Sequence, residues 1–312
     1  MTHPAPIQRR FKVLATELGF PEGPVALDDG SVLVMEIATG RVTRVAADGA
    51  LHRVADTGGG PNGAAIAPDG HIYICNNGGD RFEHIDGLYL PVGDPAHNTG
   101  GRIERIYPAT GAVTVLYEYA GQHRLSAPND IVLDDAGGFW FTDTGKDNGQ
   151  MRMHGAICHG KLDGSSAKTA SQPFPAPNGI GLSPDGRKLY VAETFTGRLI
   201  EFTLEAPGVI SPVGGIFPGR FLAAAPGRAI LDSLALEAGG NICVAAPLMG
   251  EIVVFTPTGE ILERVQVPDP LPTNICFGGP ELRTAYITLS GTGRLIAMEW
   301  PRPGLPLPHQ RR

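Results

Sequence analysis

The sequence predicts an all-β fold, a six-bladed β-propeller with four antiparallel strands per blade, and three observations predict it. Gly 43 and Pro 28 among 312 residues favour many short strands over long helices. One pattern recurs along the chain: a polar residue, a short apolar run, a turn, and a second apolar run. A further strand pair separates successive copies, so each unit holds four strands in roughly 40–50 residues, the size of a propeller blade.

The copies follow in order. "EGPVALDDGSVLVME" begins at Glu22, "NGAAIAPDGHIYICN" at Asn62 and "NDIVLDDAGGFWFTD" at Asn129. "NGIGLSPDGRKLYVAE" begins at Asn178 and "DSLALEAGGNICVAA" at Asp232. A sixth, divergent copy, "TNICFGGPELRTAYIT", begins at Thr273. In the first five, a Gly falls eight residues after the polar start: Gly30, Gly70, Gly137, Gly186 and Gly240. The steps between starts are 40, 67, 49, 54 and 41 residues. The intervening pairs include "GRVTRVAADGALHRVAD" from Gly40 and "GEIVVFTPTGEILERVQ" from Gly250. The count leaves the C-terminal "GRLIAMEW" and the N-terminal "FKVLATEL" to share the last blade and close the ring. One propeller domain is therefore expected over 11–300, with flexible termini at 1–10 and 301–312.

In a propeller the first strand of each blade lines the central channel. The six repeat starts then meet at one mouth as a ring: Glu22, Asn62, Asn129, Asn178, Asp232 and Thr273. The Asn178-Gly179 pair enters an innermost strand, and the hairpin turn is Pro184-Asp185-Gly186 on the far face. Loops after each second strand overhang the ring, and two are long, 78–101 and 145–155. Two carboxylates and several amides at one mouth are costly without compensation. One divalent cation resolves the cost. Oxygen ligands suit Ca²⁺ first and also admit Mg²⁺ or Mn²⁺, with Fe²⁺ or Zn²⁺ behind them because no His or Cys stands in the ring.

Other classes are disfavoured. A formal net charge of -7 argues against nucleic acid and gives no reason for an anionic membrane partner. No apolar run reaches the roughly 18 residues of a membrane-spanning helix. The polar N-terminus, with Arg9 and Arg10, lacks the form of a secretory signal. Cys75, Cys158, Cys243 and Cys276 lack metal-type spacing and read as buried free thiols in a cytoplasmic protein. No serine-hydrolase elbow, P-loop or dinucleotide fingerprint is present. The oligomeric state is left open.

From "FPEGPVALDDG" to "TGRLIAMEW" the sequence resembles the regucalcin/gluconolactonase (SMP-30-like) family of six-bladed propellers. "PEGP" around Glu22, "SAPNDIV" around Asn129, "PNGIGLSPDG" around Asn178 and "LDSLAL" around Asp232 carry the resemblance. It implies Glu22, Asn178 and Asp232 as metal ligands, with Asn129 a further ligand or a substrate contact. It implies metal-assisted hydrolysis of a small-molecule lactone, an aldonolactone foremost. Hydrolysis of an organophosphate or other ester on the same metal, and a non-catalytic binding propeller, are the rival readings. Asp232 is the expected base that activates water, with His123 or His154 as alternatives. Asn62, Asn129, His123 and Thr273 are the expected substrate contacts. Glu193 and Asp143 end second strands and read mainly as solvated acids. The sequence departs from the family twice. Ala127 stands where sugar-lactone members carry a substrate-contacting Arg, and Cys276 stands near the sixth-blade His of organophosphate-type members.

Overall fold

The computed structural model describes residues 3–95, 98–147, 151–212, 219–227 and 229–310. Six antiparallel sheets stand around one channel. Blade 1 runs Pro21–Ala26, Val32–Glu36, Arg41–Val45 and Leu51–Asp56 from the inside outward. Blades 2, 3, 4, 5 and 6 begin with Pro61–Ile66, Pro128–Leu133, Pro177–Leu182, Leu234–Leu236 and Pro272–Gly278. These first strands neighbour one another in a closed circle. Phe11–Ala15 pairs antiparallel with Arg294–Glu299 as the outer strand of blade 6, so both ends of the chain close the ring as expected. Among the described residues no helix is long and apolar enough to cross a membrane.

The core is six clusters, one at each blade interface. Val25, Leu33, Met35, Ile72 and Ile74 join blades 1 and 2. Trp140, Ile157, Ile180, Leu189 and Phe202 join blades 3 and 4. The alternating apolar runs of the sequence supply one face to each neighbour. All four cysteines are free and buried in this packing.

Two features set the ring. In blades 1, 2, 3, 4 and 6 the register shifts at the start of the first strand, between Glu22/Val25, Pro61/Ala64, Pro128/Ile131, Pro177/Ile180 and Pro272/Asn274. A bulge there re-aims the side chain that alternation would otherwise place against a neighbouring blade. Glycine then permits close approach. A Cβ on Gly179 would lie 2.6 Å from Asp232 O, and one on Gly63 would lie 2.5 Å from Asn129 O.

The termini differ from the loose ends expected of them. Ile7–Gln8 adds to blade 5 in parallel with Ile261–Gln266. Leu305 N donates to Leu236 O at 2.8 Å, and Gln310 Nε2 donates to Phe277 O at 3.1 Å. Arg302 Nε donates to the buried Glu237 Oε2 at 2.6 Å. Leu305 and Leu307 line the far end of the channel beside Leu182, Leu236 and Phe277. The prolines of this tail pre-set an extended strap, and its leucines cover apolar strand ends.

Candidate active site

Each second strand of blades 1, 2 and 3 ends in a buried acid or amide that grips the segment leading into its own first strand. Glu36 Oε2 accepts from Gly19 N at 2.7 Å, Asn76 Oδ1 from Gly60 N at 2.9 Å, and Asp143 Oδ1 from Ala127 N at 2.7 Å. These bonds fix where Glu22, Asn62 and Asn129 stand, two or three residues later.

Glu22, Asn62, Asn129, Asn178 and Asp232 line one cavity of about 360 Å³ at the near mouth. A cavity of about 400 Å³ on the far face, between blades 3 and 4 and the C-terminal strap, holds none of them. Glu22 Oε2 accepts from Gly23 N and Asn274 Nδ2, both at 2.9 Å. Burial pushes the Glu22 carboxyl above its usual range, against the hydrogen bonds from Asn274, Gly23 and Thr273. Burial and then the charge of Glu22 push Asp232 well above the usual range, with the Asn178 side chain opposing them. Asp130, beside Asn129, is pushed up to about 7, mainly by burial.

The other expected residues lie elsewhere. Thr273 is buried outside the cavity lining, and its hydroxyl is within hydrogen-bond distance of Pro21 O, Thr288 Oγ1 and Ser290 Oγ. His123 also stands outside the lining, with Nε2 2.8 Å from Asp143 Oδ2. His154 is exposed and does not line the cavity. Asp143 and Glu193 are buried, not solvated. Burial alone would raise Asp143, but hydrogen bonds from His123 and from the N–H groups of Ser126, Ala127 and Gly145 hold it below its usual range.

The overhanging loops supply the walls. The hairpin Phe82–Ile85/Leu88–Pro91 contributes Phe82 and Pro91. Lys146 Nζ donates to Gly79 O at 3.0 Å, Asp80 Oδ1 at 3.4 Å and Asp94 Oδ1 at 2.8 Å, tying one loop to the other. Arg152 lines the cavity as well. Lys146 and Arg152 were not singled out from sequence; the available signal was two cations inside the longer overhanging loops. Residues 148–150 and 96–97 of these loops lie outside the described residues.

The donor set fits a hard divalent cation. Among the described residues no three His, Cys, Asp or Glu side chains cluster as a metal site. The ring offers two carboxylates and amide oxygens instead. The Oδ1 atoms of Asn62 and Asn129 are buried without a hydrogen-bond partner. Two orphaned acceptors beside two mutually repelling acids form an arrangement that a cation completes.

The SMP-30/gluconolactonase/LRE-like region model matches residues 20–291. The chain belongs to that family. Within the SMP-30/gluconolactonase/LRE-like family, it is 27% identical over 250 residues to lactonase drp35 of Staphylococcus haemolyticus, covering 79% of this chain and 69% of that one. It is 24% identical over 315 residues to the gluconolactonase of Zymomonas mobilis, covering 90% and 79%. A calcium-binding regucalcin from Agrobacterium tumefaciens shares the fold, with a TM-score of 0.77 at 19% identity over 99% of this chain and 100% of that one. In this member Ala127 lines the cavity. Cys276 is buried, with its thiol pushed up to about 12 by that burial, which leaves it inert as a nucleophile.

Proposed function

We propose that this chain hydrolyses lactones, sugar lactones foremost, at one divalent-cation site formed by Glu22, Asn129, Asn178 and Asp232, with Ca²⁺ the best-suited ion. The supporting observation is the pair of partnerless buried amide oxygens on Asn62 and Asn129, in one cavity with two acids. A cation held there supplies Lewis-acid polarisation of the ester carbonyl. Asp232, which lines the cavity beside Glu22, takes the proton of the attacking water. The water oxygen adds to the carbonyl carbon, the ring C–O bond then breaks, and the proton taken by Asp232 passes to the departing ring oxygen, so that one hydroxy acid leaves. Asn62 lines the wall beside the reacting ester. His123 acts from behind, holding Asp143 and through it the segment leading to Asn129.

The test is metal content together with hydrolysis of an aldonolactone and an unsubstituted lactone, before and after chelation. Turnover should vanish on chelation and return with Ca²⁺. Asp232→Asn should lose about 10²–10⁴-fold in kcat, the usual contribution of a general base, with the fold retained. Glu22→Gln should lose cation and turnover together. Full activity in the stripped protein would remove the metal from the mechanism. Tight cation binding with no turnover of any lactone would make the chain a binding propeller.

A further inference from the structure

Among the described residues, Arg152 is the cation of the cavity wall that is in no direct ion pair. Lys146, its neighbour in the wall, is shared by Asp80 and Asp94. Among the described residues no carboxylate oxygen is in a direct ion pair with Arg152; Asp147 faces it across an antiparallel backbone bridge, and the charges of Asp147 and Glu193 act on it at longer range. The guanidinium is nonetheless fixed. Its Nε donates to Pro175 O at 2.6 Å and its Nη2 to Thr144 O at 2.8 Å. Its carbon stands 4.4 Å from the centroid of the Phe195 ring. A guanidinium has five N–H groups, and these two bonds leave three without a partner among the described residues.

Its position matters. Thr144 N donates to Ala127 O at 2.9 Å, and Thr144 Oγ1 donates to Pro177 O at 2.9 Å. Arg152 therefore sits between the segments that lead into Asn129 and Asn178, one residue removed from Ala127 through Thr144. Ala127 is small and adds no polar group of its own to the cavity wall. A half-buried, pre-positioned guanidinium with N–H groups to spare, next to the ester-binding ring, is what recognition of substrate oxygens requires.

We propose that Arg152 selects the substrate: its guanidinium donates to the hydroxyl oxygens that a sugar lactone carries outside the ester, so hydroxylated lactones are preferred to plain ones. This rests on the lactonase reading above and adds the residue that sets its specificity.

The experiment compares the metal-loaded wild type with Arg152→Gln and Arg152→Lys on gluconolactone and on δ-valerolactone. Arg152→Gln should lose about ten- to hundredfold in kcat/KM on gluconolactone, mostly through KM, the range expected for hydrogen bonds from a charged donor. The loss on δ-valerolactone should be at least about tenfold smaller, and Arg152→Lys should recover part of the gluconolactone rate. A residue that only braces the loop would lower both substrates alike, and equal losses overturn the proposal. Calorimetric titration with the two products, gluconate and 5-hydroxypentanoate, separates this inference from the reading it rests on. If the wild type turns over neither lactone, the lactonase reading falls. Arg152 is then still supported if Arg152→Gln removes the preference for gluconate with cation binding intact. It is overturned if that preference is unchanged or absent in the wild type.

Discussion

Two buried acids, Glu22 and Asp130, and the half-buried Asp232 stand at or just beneath one channel mouth, and without a cation each resists ionisation. Burial is the largest cause for all three, and the charge of Glu22 adds to it for the other two. The sign of the pH dependence follows. A carboxyl whose folded-state pKa is raised binds more protons in the folded chain than in the unfolded one over the interval between the two values. Its stabilising contribution is therefore complete below the unfolded value and is lost as pH rises through the folded one. For Asp130 that interval runs from 3.8 to about 7. Glu22 and Asp232 shift in the same direction. The metal-free protein should melt at a progressively lower temperature as pH is raised from about 4 to 8. Ca²⁺ should restore more stability at pH 8 than at pH 5, because binding must displace fewer protons there. Thermal melts with and without chelator across this range check it. A metal-free melting temperature that climbs steadily over the same pH range would contradict the electrostatics assigned to the ring.

The two loops over the ring behave as one element because Lys146 joins them. Its ammonium is mostly buried, Asp80 is partly covered and Asp94 is more open, so the network is screened on one side only. Burial raises Asp80 even though Lys146 lies against it, so the latch is costly to form and sensitive to loss of the cation. Lys146→Met should leave the propeller's unfolding midpoint almost unchanged, because no blade interface is touched. Hydrogen exchange of the 82–91 hairpin should speed up by a few-fold, the scale of partly exposed ion pairs at about 0.2–1 kcal/mol. Unchanged exchange there would show that the Phe82 contacts with Phe20 and Tyr89 alone hold the hairpin. This is also where sequence reading lost its grip. Five ring residues were legible because the same phase of polar start, strand, Gly and strand recurs. The loops carry no repeat, so nothing in the spacing could bring Lys146 to Asp94 or Arg152 beside Thr144. Thr273 and His123 were legible as polar residues near the mouth, but the pockets of hydrogen-bond partners that turn them away from the cavity form only in three dimensions.

At the scale of the whole molecule, two closures define the disc. The pairing of Phe11–Ala15 with Arg294–Glu299 was legible by counting, since six repeats leave one blade a strand short. The strap over the far mouth was not, because a proline-rich tail gives no periodicity and its partners are strand ends from several blades. The strap acts largely through Glu237, which is fully buried. Burial alone would raise that carboxyl, but bonds from Arg302, Asn241 and Trp300 outweigh burial and hold it below its ordinary 4.5. Trp300 Nε1 donates at 2.7 Å, and Arg302 also reaches Glu263 at 3.0 Å. Removing residues 301–312 deletes the charged partner and uncovers Leu236 and Phe277. The cost should be about 2–4 kcal/mol: a buried pair broken on one side costs about 3–5 kcal/mol, reduced here because Arg302 is one-third exposed and water enters where the strap had been. An acid with a lowered folded-state pKa stabilises above its unfolded value and loses that contribution as pH falls through the folded one. The gap between full-length and shortened protein should therefore be widest near neutral pH and narrow below about 4.5. Urea unfolding at pH 7 and pH 4 measures both quantities. Arg302→Met, which keeps the leucines of the strap in place, should reproduce the pH-dependent part of the loss and leave the remainder. Equal midpoints for the full-length and shortened chains at pH 7 would mean that the far mouth needs no cover.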